Sequence, residues 1–571
     1  MLSLVLLSML LAFSGCGSQE SFADLVLVGG RIVTVSAERP EVEALAVTQH
    51  RVAALGSRAE IERWIGPRTQ VVDLDGRLAI PGFIEGHGHF LGLGEALTIL
   101  DLTEASSWDA IVAQVARAAE EAEPGAWIRG RGWHQEKWEL PPKPEAEGGP
   151  VHGSLSAVSP DNPVLLTHAS GHAAFANARA LEKAGLDRSS PDPPGGEFVR
   201  DAFGDLSGLL RETAQRAAAG AYARSLSGRS PEEVEIELRR RVALAGEEAL
   251  RNGVTSFQDA GSSFDTIAFY RRLEEQGALP VRLYVMVRPQ LDGTVEGAAA
   301  ELGRRLAEFR TVAVDNDFLT VRGIKRQVDG ALGAHGAWLL EPYDDLPRSV
   351  GLILEPIEDI RLVAELALEH GYQLNTHAIG DRANREMLDL YEEVLAGSPD
   401  RRWRIEHAQH IHPDDVPRFG ELGVIASMQG VHATSDGPWV ARRLGNERSR
   451  TGAYVWRSLL DAGAVVINGT DVPVEDIDPL ASFHASVTRV TADGTTFHPE
   501  QRMTREEALR SYTIDAAYAA FEEGEKGSLE VGKLADIVVL SGDILGLSDA
   551  KLSSVQVHMT ILGGEIRYQA E

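Results

Sequence analysis

The run Pro81-Gly82-Phe83-Ile84-Glu85-Gly86-His87-Gly88-His89 closes an apolar segment with two histidines one residue apart. In an extended strand residues i and i+2 share a face, so both imidazoles would stand on one side, about 7 Å apart. That spacing suits chelation of a divalent cation, although a single His-x-His recurs by chance and decides nothing alone. Four further residues of ligand type stand at the ends of apolar runs: Lys325 in Gly323-Ile324-Lys325-Arg326, His377 in Asn375-Thr376-His377-Ala378, His407 in Ile405-Glu406-His407-Ala408, and Asp471 in Asn468-Gly469-Thr470-Asp471. The single cysteine, Cys16, lies far from all of them in the chain, so a metal centre here must use nitrogen and oxygen donors.

Such a set needs a scaffold that brings distant segments to one place. Eight β-rich runs, 78–84, 254–258, 281–287, 319–328, 372–376, 403–405, 424–428 and 465–468, alternate with helical intervals. One helix is expected over 231–251, with Pro231 and three glutamates in its opening turns and Asn252-Gly253 at its exit; another over 357–370. This alternation predicts an α/β fold, a (β/α)8 TIM barrel over 79–523. The six candidate residues then fall at the C-terminal side of their strands, where barrel active sites form. Ala23-Asp24-Leu25-Val26 and Gly29-Gly30-Arg31-Ile32 are echoed by Ala535-Asp536-Ile537-Val538 and Gly563-Gly564-Glu565-Ile566. The two termini, 22–78 and 524–571, are therefore expected to build one small β-sandwich, with its N-terminal part an antiparallel sheet. The interval of about 100–250 exceeds a single crossover and reads as a subdomain inserted after strand one, placed to cover the pocket.

Totals exclude several classes. With 55 Lys and Arg against 85 Asp and Glu, the net charge of −30 opposes binding to nucleic acid. Walker A, G-x-G-x-x-G, G-x-S-x-G and H-E-x-x-H patterns are all absent. Residues 1–13 are apolar apart from Ser3 and Ser8, and Phe13-Ser14-Gly15-Cys16 resembles a bacterial lipobox. The expectation is a signal peptide over 1–15, lipidation at Cys16, and an exported, membrane-anchored lipoprotein of the periplasm or cell surface.

The stretches PGFIEGHGH, Asp329-Gly330-Ala331-Leu332-Gly333, His377-Ala378-Ile379-Gly380-Asp381-Arg382-Ala383 and Arg404-Ile405-Glu406-His407-Ala408-Gln409 together resemble the amidohydrolase superfamily, in its amidohydrolase 3 or YtcJ-like branch. The resemblance implies that His87, His89 and Asp471 bind one divalent ion, and that Lys325, carboxylated on its amine, bridges to a second held by His377 and His407. Zinc suits imidazole and carboxylate donors, with iron or manganese as substitutes. It also implies that His172, in Thr167-His168-Ala169-Ser170-Gly171-His172, faces the substrate. Glu85 and His335-Gly336 depart from the pattern, at positions that bear on substrate preference. The expected activity is hydrolysis of a carbon–nitrogen bond in a small amide or N-acyl compound by metal-activated hydroxide, with Asp471 as ligand and proton shuttle. Alternatives are an esterase or lactonase on the same centre, or a non-catalytic binding lipoprotein on a hydrolase scaffold.

Overall fold

The computed structural model describes residues 22–147, 149–289, 295–314, 318–398 and 400–570; the expected signal segment and Cys16 lie outside them. Eight parallel strands follow one another in chain order: Phe83–Gly88, Val254–Ser262, Arg282–Val287, Leu319–Gln327, Gln373–Ala378, Arg404–His407, Ile425–Gln429 and Val466–Gly469. The eighth returns to the first. There the Asp471 N–H donates to the His87 carbonyl at 2.8 Å and the His89 N–H to the Val472 carbonyl at 2.7 Å, so the sheet is nearly closed into the TIM barrel.

Local chemistry explains the helices that surround it. Ser230 caps Pro231–Arg251 through a capping box with Glu233, and its proline sits in the first turn where no amide hydrogen is needed. Ile357–His370 ends at Gly371, whose φ of 69° is the left-handed cap that glycine adopts without a Cβ clash. Both helices have the bounds expected from the sequence. They bury one face, Val242, Ala245 and Ala249 in the first and Ile360, Val363 and Ala367 in the second, within the continuous core outside the barrel strands.

The first β-rich run proves to be two strands. Leu78–Pro81 pairs with Arg31–Val33 and Ile537–Leu540, while Phe83–Gly88 enters the barrel. Gly82 separates them, and a Cβ there would lie 2.2 Å from Thr255 Oγ1, so the crossing admits no side chain. Strands from both chain ends form two facing sheets, with Leu25, Leu27, Ile32, Ile537, Val539 and Ile561 packed between them. The N-terminal strands are mixed in direction rather than antiparallel. Leu25–Val28 runs antiparallel to Ala44–Thr48 but parallel to Gln70–Asp73, because the segment through the helix Arg58–Glu62 carries the chain back across the hairpin.

Between the first two barrel strands a separate six-stranded sheet, from Leu100–Asp101 to Leu206–Glu212, carries its own core around Trp133, Leu166 and Phe175. Pro231–Arg251 packs instead on the barrel helix Phe90–Ala96, which makes it part of the barrel wall. Among the described residues no helix is long and apolar enough to cross a membrane.

Candidate metal centre

All six ligand-type residues meet at the C-terminal mouth of the barrel. His87 lies within the first strand and His89 caps the helix that follows it. Lys325 and His377 lie within the fourth and fifth strands, His407 ends the sixth, and Asp471 follows the eighth. His89 Nε2 is 3.2 Å and His87 Nε2 3.6 Å from Asp471 Oδ1, and Lys325 Nζ is 3.3 Å from His87 Nε2. The His87 and His89 rings stand perpendicular with centroids 5.8 Å apart, closer than strand geometry alone implies. His407 lies 4.7 Å from His87 and 4.5 Å from His377, centroid to centroid. Donor atoms of His87, His89 and Asp471 all fall within 4.8 Å of one another, which matches three ligands converging on one ion. Gly88 makes this possible, since a Cβ there would meet Phe257 Cζ at 2.6 Å.

A second layer of side chains selects which ring nitrogens face inward. His87 Nδ1 donates to Glu406, and Arg404 in turn pairs with the other Glu406 oxygen at 2.7 Å. Burial opposes ionisation of Glu406, but Arg404 and His87 hold its carboxyl far below the usual range. His407 Nδ1 donates to Gln429 Oε1 at 2.8 Å, which turns Nε2 toward the cluster. His377 Nε2 lies 3.5 Å from Asp329 Oδ1 and is buried without a hydrogen-bond partner, as is Asp471 Oδ1. Buried polar atoms left in this state are costly, and a cation among them would relieve the imidazole–carboxylate crowding. Burial pushes the Lys325 amine down to about 8, which brings the neutral form needed for carboxylation within reach. It also pushes His87 down to about 4, with the Lys325 charge adding to the effect. Asp471 is the reverse case: burial would raise its carboxyl, yet His89, His87 and His407 hold it well below the usual value. His407 and Asp471 both occupy left-handed backbone, φ 74° and 57°, a strained conformation for non-glycine residues that the surrounding barrel must enforce.

A family model for the amidohydrolase family matches residues 70–568. The chain belongs to this family. It is 29% identical to the putative amidohydrolase YtcJ of Bacillus subtilis, over 95% of this chain and 98% of that one. It is 28% identical to the N-substituted formamide deformylase of Arthrobacter pascens, over 96% and 98%. An uncharacterized metal-dependent hydrolase from Pyrococcus horikoshii has a similar structure, with a TM-score of 0.70 at 27% identity, covering 92% of this chain and 99% of that one. The YtcJ-like resemblance of the motifs is thereby met, and the cluster sits at the C-terminal face, where barrel active sites form.

Over the cluster this amidohydrolase has a pocket of about 430 Å³, walled by barrel ends and by the insertion. His172 reaches it from the insertion, its ring 5.3 Å from that of His377. Its Nδ1 is 2.8 Å from Glu212 Oε2; burial would lower the imidazole, but the Glu212 charge and hydrogen bond raise it. The two departures from the family pattern do not line this pocket. Glu85 is buried behind it, accepting the Thr470 N–H at 2.5 Å, and burial pushes its carboxyl up to about 8. It therefore shapes the turn that presents Asp471. His335 faces Asp345 and Tyr343 and lines a smaller cavity of about 180 Å³. Glu406, Gln429, Asp329 and Glu212 join the site without belonging to the ligand set that the sequence marks. Strand alternation alone would set Glu406 and His407 on opposite faces, and the left-handed backbone of His407, which brings both to the cluster, has no mark in the sequence.

Proposed function

We propose that this amidohydrolase cleaves a carbon–nitrogen bond of an amide or N-acyl compound, with His87, His89 and Asp471 holding one divalent ion. Carboxylated Lys325, His377 and His407 would hold a second, zinc fitting the donor set best and iron or manganese remaining chemically suitable. Such ions supply polarisation of the carbonyl oxygen and lower the pKa of a water toward neutrality. The observation that carries the reading is the Asp471 carboxylate, ionised, buried, and with Oδ1 lacking a hydrogen-bond partner at the floor of the pocket. From there it takes the proton of the attacking water and returns it to the leaving nitrogen. His172, held by Glu212 through Nδ1, directs Nε2 at the carbonyl oxygen and donates to the charge that develops there. A relative whose name is a formamide deformylase supports the bond type.

Turnover of matched N-formyl or N-acetyl amines and their oxygen esters by the metal-loaded protein tests the reading. Amide cleavage is the expected result. Cleavage of the esters alone would favour the esterase alternative, and turnover of neither would leave a binding scaffold. The N-terminal sequence supports export and lipidation at Cys16, so Cys16→Ala should abolish acyl labelling in a bacterial host; labelling that persists would refute it.

A further inference from the structure

Three parts of the chain send arginines into the wall of the 430 Å³ pocket with no ion pair to a carboxylate among the described residues. Arg131 comes from the insertion strand Ile128–Trp133, Arg216 from the insertion helix Gln215–Ser225, and Arg288 follows the third barrel strand. Among the described residues Arg131 donates only to carbonyls, Pro473 at 2.9 Å and Ala169 at 3.0 Å. Arg288 donates to the Gln327 carboxamide at 2.5 Å. Among the described residues none of the three makes an ion pair. Their neighbours do: Arg129 pairs with Glu95 and Arg326 with Glu355 at 2.8 Å. Of the carboxylates that line the pocket, Glu95 is paired with Arg129 and Glu212 with His172, and Asp471 belongs to the ligand cluster.

In a chain of net charge −30, a pocket that keeps unpaired guanidinium groups is a local reversal of sign. Arg288 is also close to the chemistry. At Gly261, whose φ of 124° suits glycine, a Cβ would crowd Arg288 Cδ at 3.1 Å and touch Lys325 Cγ at 3.5 Å, so both side chains pass close to that point. Burial is the main reason the Arg288 guanidinium is lowered; the Glu355 charge raises it, and the charges of Arg326 and Arg216 lower it. An anion between Arg216 and Arg288 would remove that repulsion.

We infer that the substrate of this pocket is an amide bearing a carboxylate, which Arg288 and Arg216 bind while the amide carbonyl faces the cluster of Lys325, His377 and Asp471. The inference rests on the hydrolase reading above and narrows it. A planar guanidinium matches a carboxylate in a two-point fashion, and a site built to receive that charge rejects a neutral analogue. The carboxylate can belong to the amine half, as in an N-acyl amino acid, or to the acyl half, as in a dicarboxylic monoamide.

Three probes separate these cases: N-acetylphenylalanine in both enantiomers, N-succinyl-2-phenylethylamine, and neutral N-acetyl-2-phenylethylamine. Binding of their non-hydrolysable ketomethylene analogues to the metal-loaded protein is measured by calorimetry, alongside kcat/KM for the amides. We expect one charged probe to exceed the neutral one by at least tenfold in both measurements, the favoured arm naming the half that carries the charge. Arg288→Gln and Arg216→Gln should each erode that advantage through KM, and the double variant should erase it. A neutral probe bound as tightly as both charged ones, or an advantage that survives the double variant, would overturn the inference. Arginine-dependent binding without amide turnover would instead overturn the hydrolase reading alone, and amide turnover with no charge preference would overturn this inference alone.

Discussion

The two ends of the barrel bury polar groups in opposite ways. At the N-terminal end Arg282, the first residue of the third strand, grips Asp536 through two contacts of 2.8 and 3.2 Å, and Asp536 also accepts the Gly563 N–H at 2.8 Å. Nearby, Lys526 donates to Ser256 and pairs with Glu522, both at 2.7 Å, and Gln373 bridges the Tyr284 hydroxyl and the Ala519 carbonyl. These groups answer one another. At the C-terminal end, equally buried groups do not: Asp471 Oδ1 and His377 Nε2 lack hydrogen bonds, and imidazoles crowd together. A polar network closed on itself fastens the sandwich to the barrel, whereas one left incomplete is fit to receive something the chain does not contain.

Removing charge from the incomplete end should cost function and spare the fold. Asp471→Asn keeps the side chain's size and removes both the charge and the proton acceptor, so turnover should fall by about 10²- to 10⁴-fold. The thermal midpoint should stay within a few degrees of wild type. A variant with near-normal rates would break the distinction drawn between the two ends. Lys325→Ala sharpens it further. Elemental analysis of the wild-type protein expressed with bicarbonate should give two equivalents of metal per chain, and the variant about one, because the bridging ligand is lost. A wild-type value of one would point to a single-ion centre with Lys325 in another role.

The closed end should respond the other way. Arg282→Met leaves Asp536 buried and uncompensated, which should destabilise the protein by about 3–5 kcal/mol while kcat per folded molecule is retained at low temperature. Adding Asp536→Asn should restore part of the loss, since the stranded charge goes with it. Chemical denaturation of the single and double variants reads this directly. Additive losses would mean that the two residues do not act as a pair.

Sequence made the barrel legible because each strand is a short apolar run and each ligand stands at its end. The helix over 231–251 announced its ends through Pro231, the glutamates of its opening turns and Asn252-Gly253. What sequence could not supply was pairing between distant segments. The run 78–84 reads as one strand, and the partners that divide it at Gly82, Ile537–Leu540 and Val254–Ser262, lie far along the chain. Direction in the terminal sheet was similarly hidden, because Gln70–Asp73 has the same composition whether it runs parallel or antiparallel to Leu25–Val28. The ligand set was visible, but the residues that orient it were not. Glu406, Gln429 and Asp329 act through contacts set by barrel closure, and a glutamate or glutamine inside a strand carries no local mark of that duty.

A surface ion pair supplies the weakest contrast and a check on the scale of the others. Glu507 accepts the Thr504 N–H at 2.7 Å in a capping box and pairs with Arg457, with one contact at 3.0 Å. The Arg457 hydrogen bond is the main reason its carboxyl is drawn down from 4.5 to about 2. Because the folded value is the lower one, this contribution is present above pH 4.5 and fades as the pH falls from there toward 2. Solvent screening of a partly exposed pair limits it to about 1 kcal/mol at neutral pH. Glu507→Gln retains the capping geometry and removes the charge, so its deficit in urea denaturation should be small at pH 7 and smaller at pH 4. A deficit as large as that of Arg282→Met, or one that widens in acid, would mean that burial is not what separates a fastening ion pair from an ornamental one.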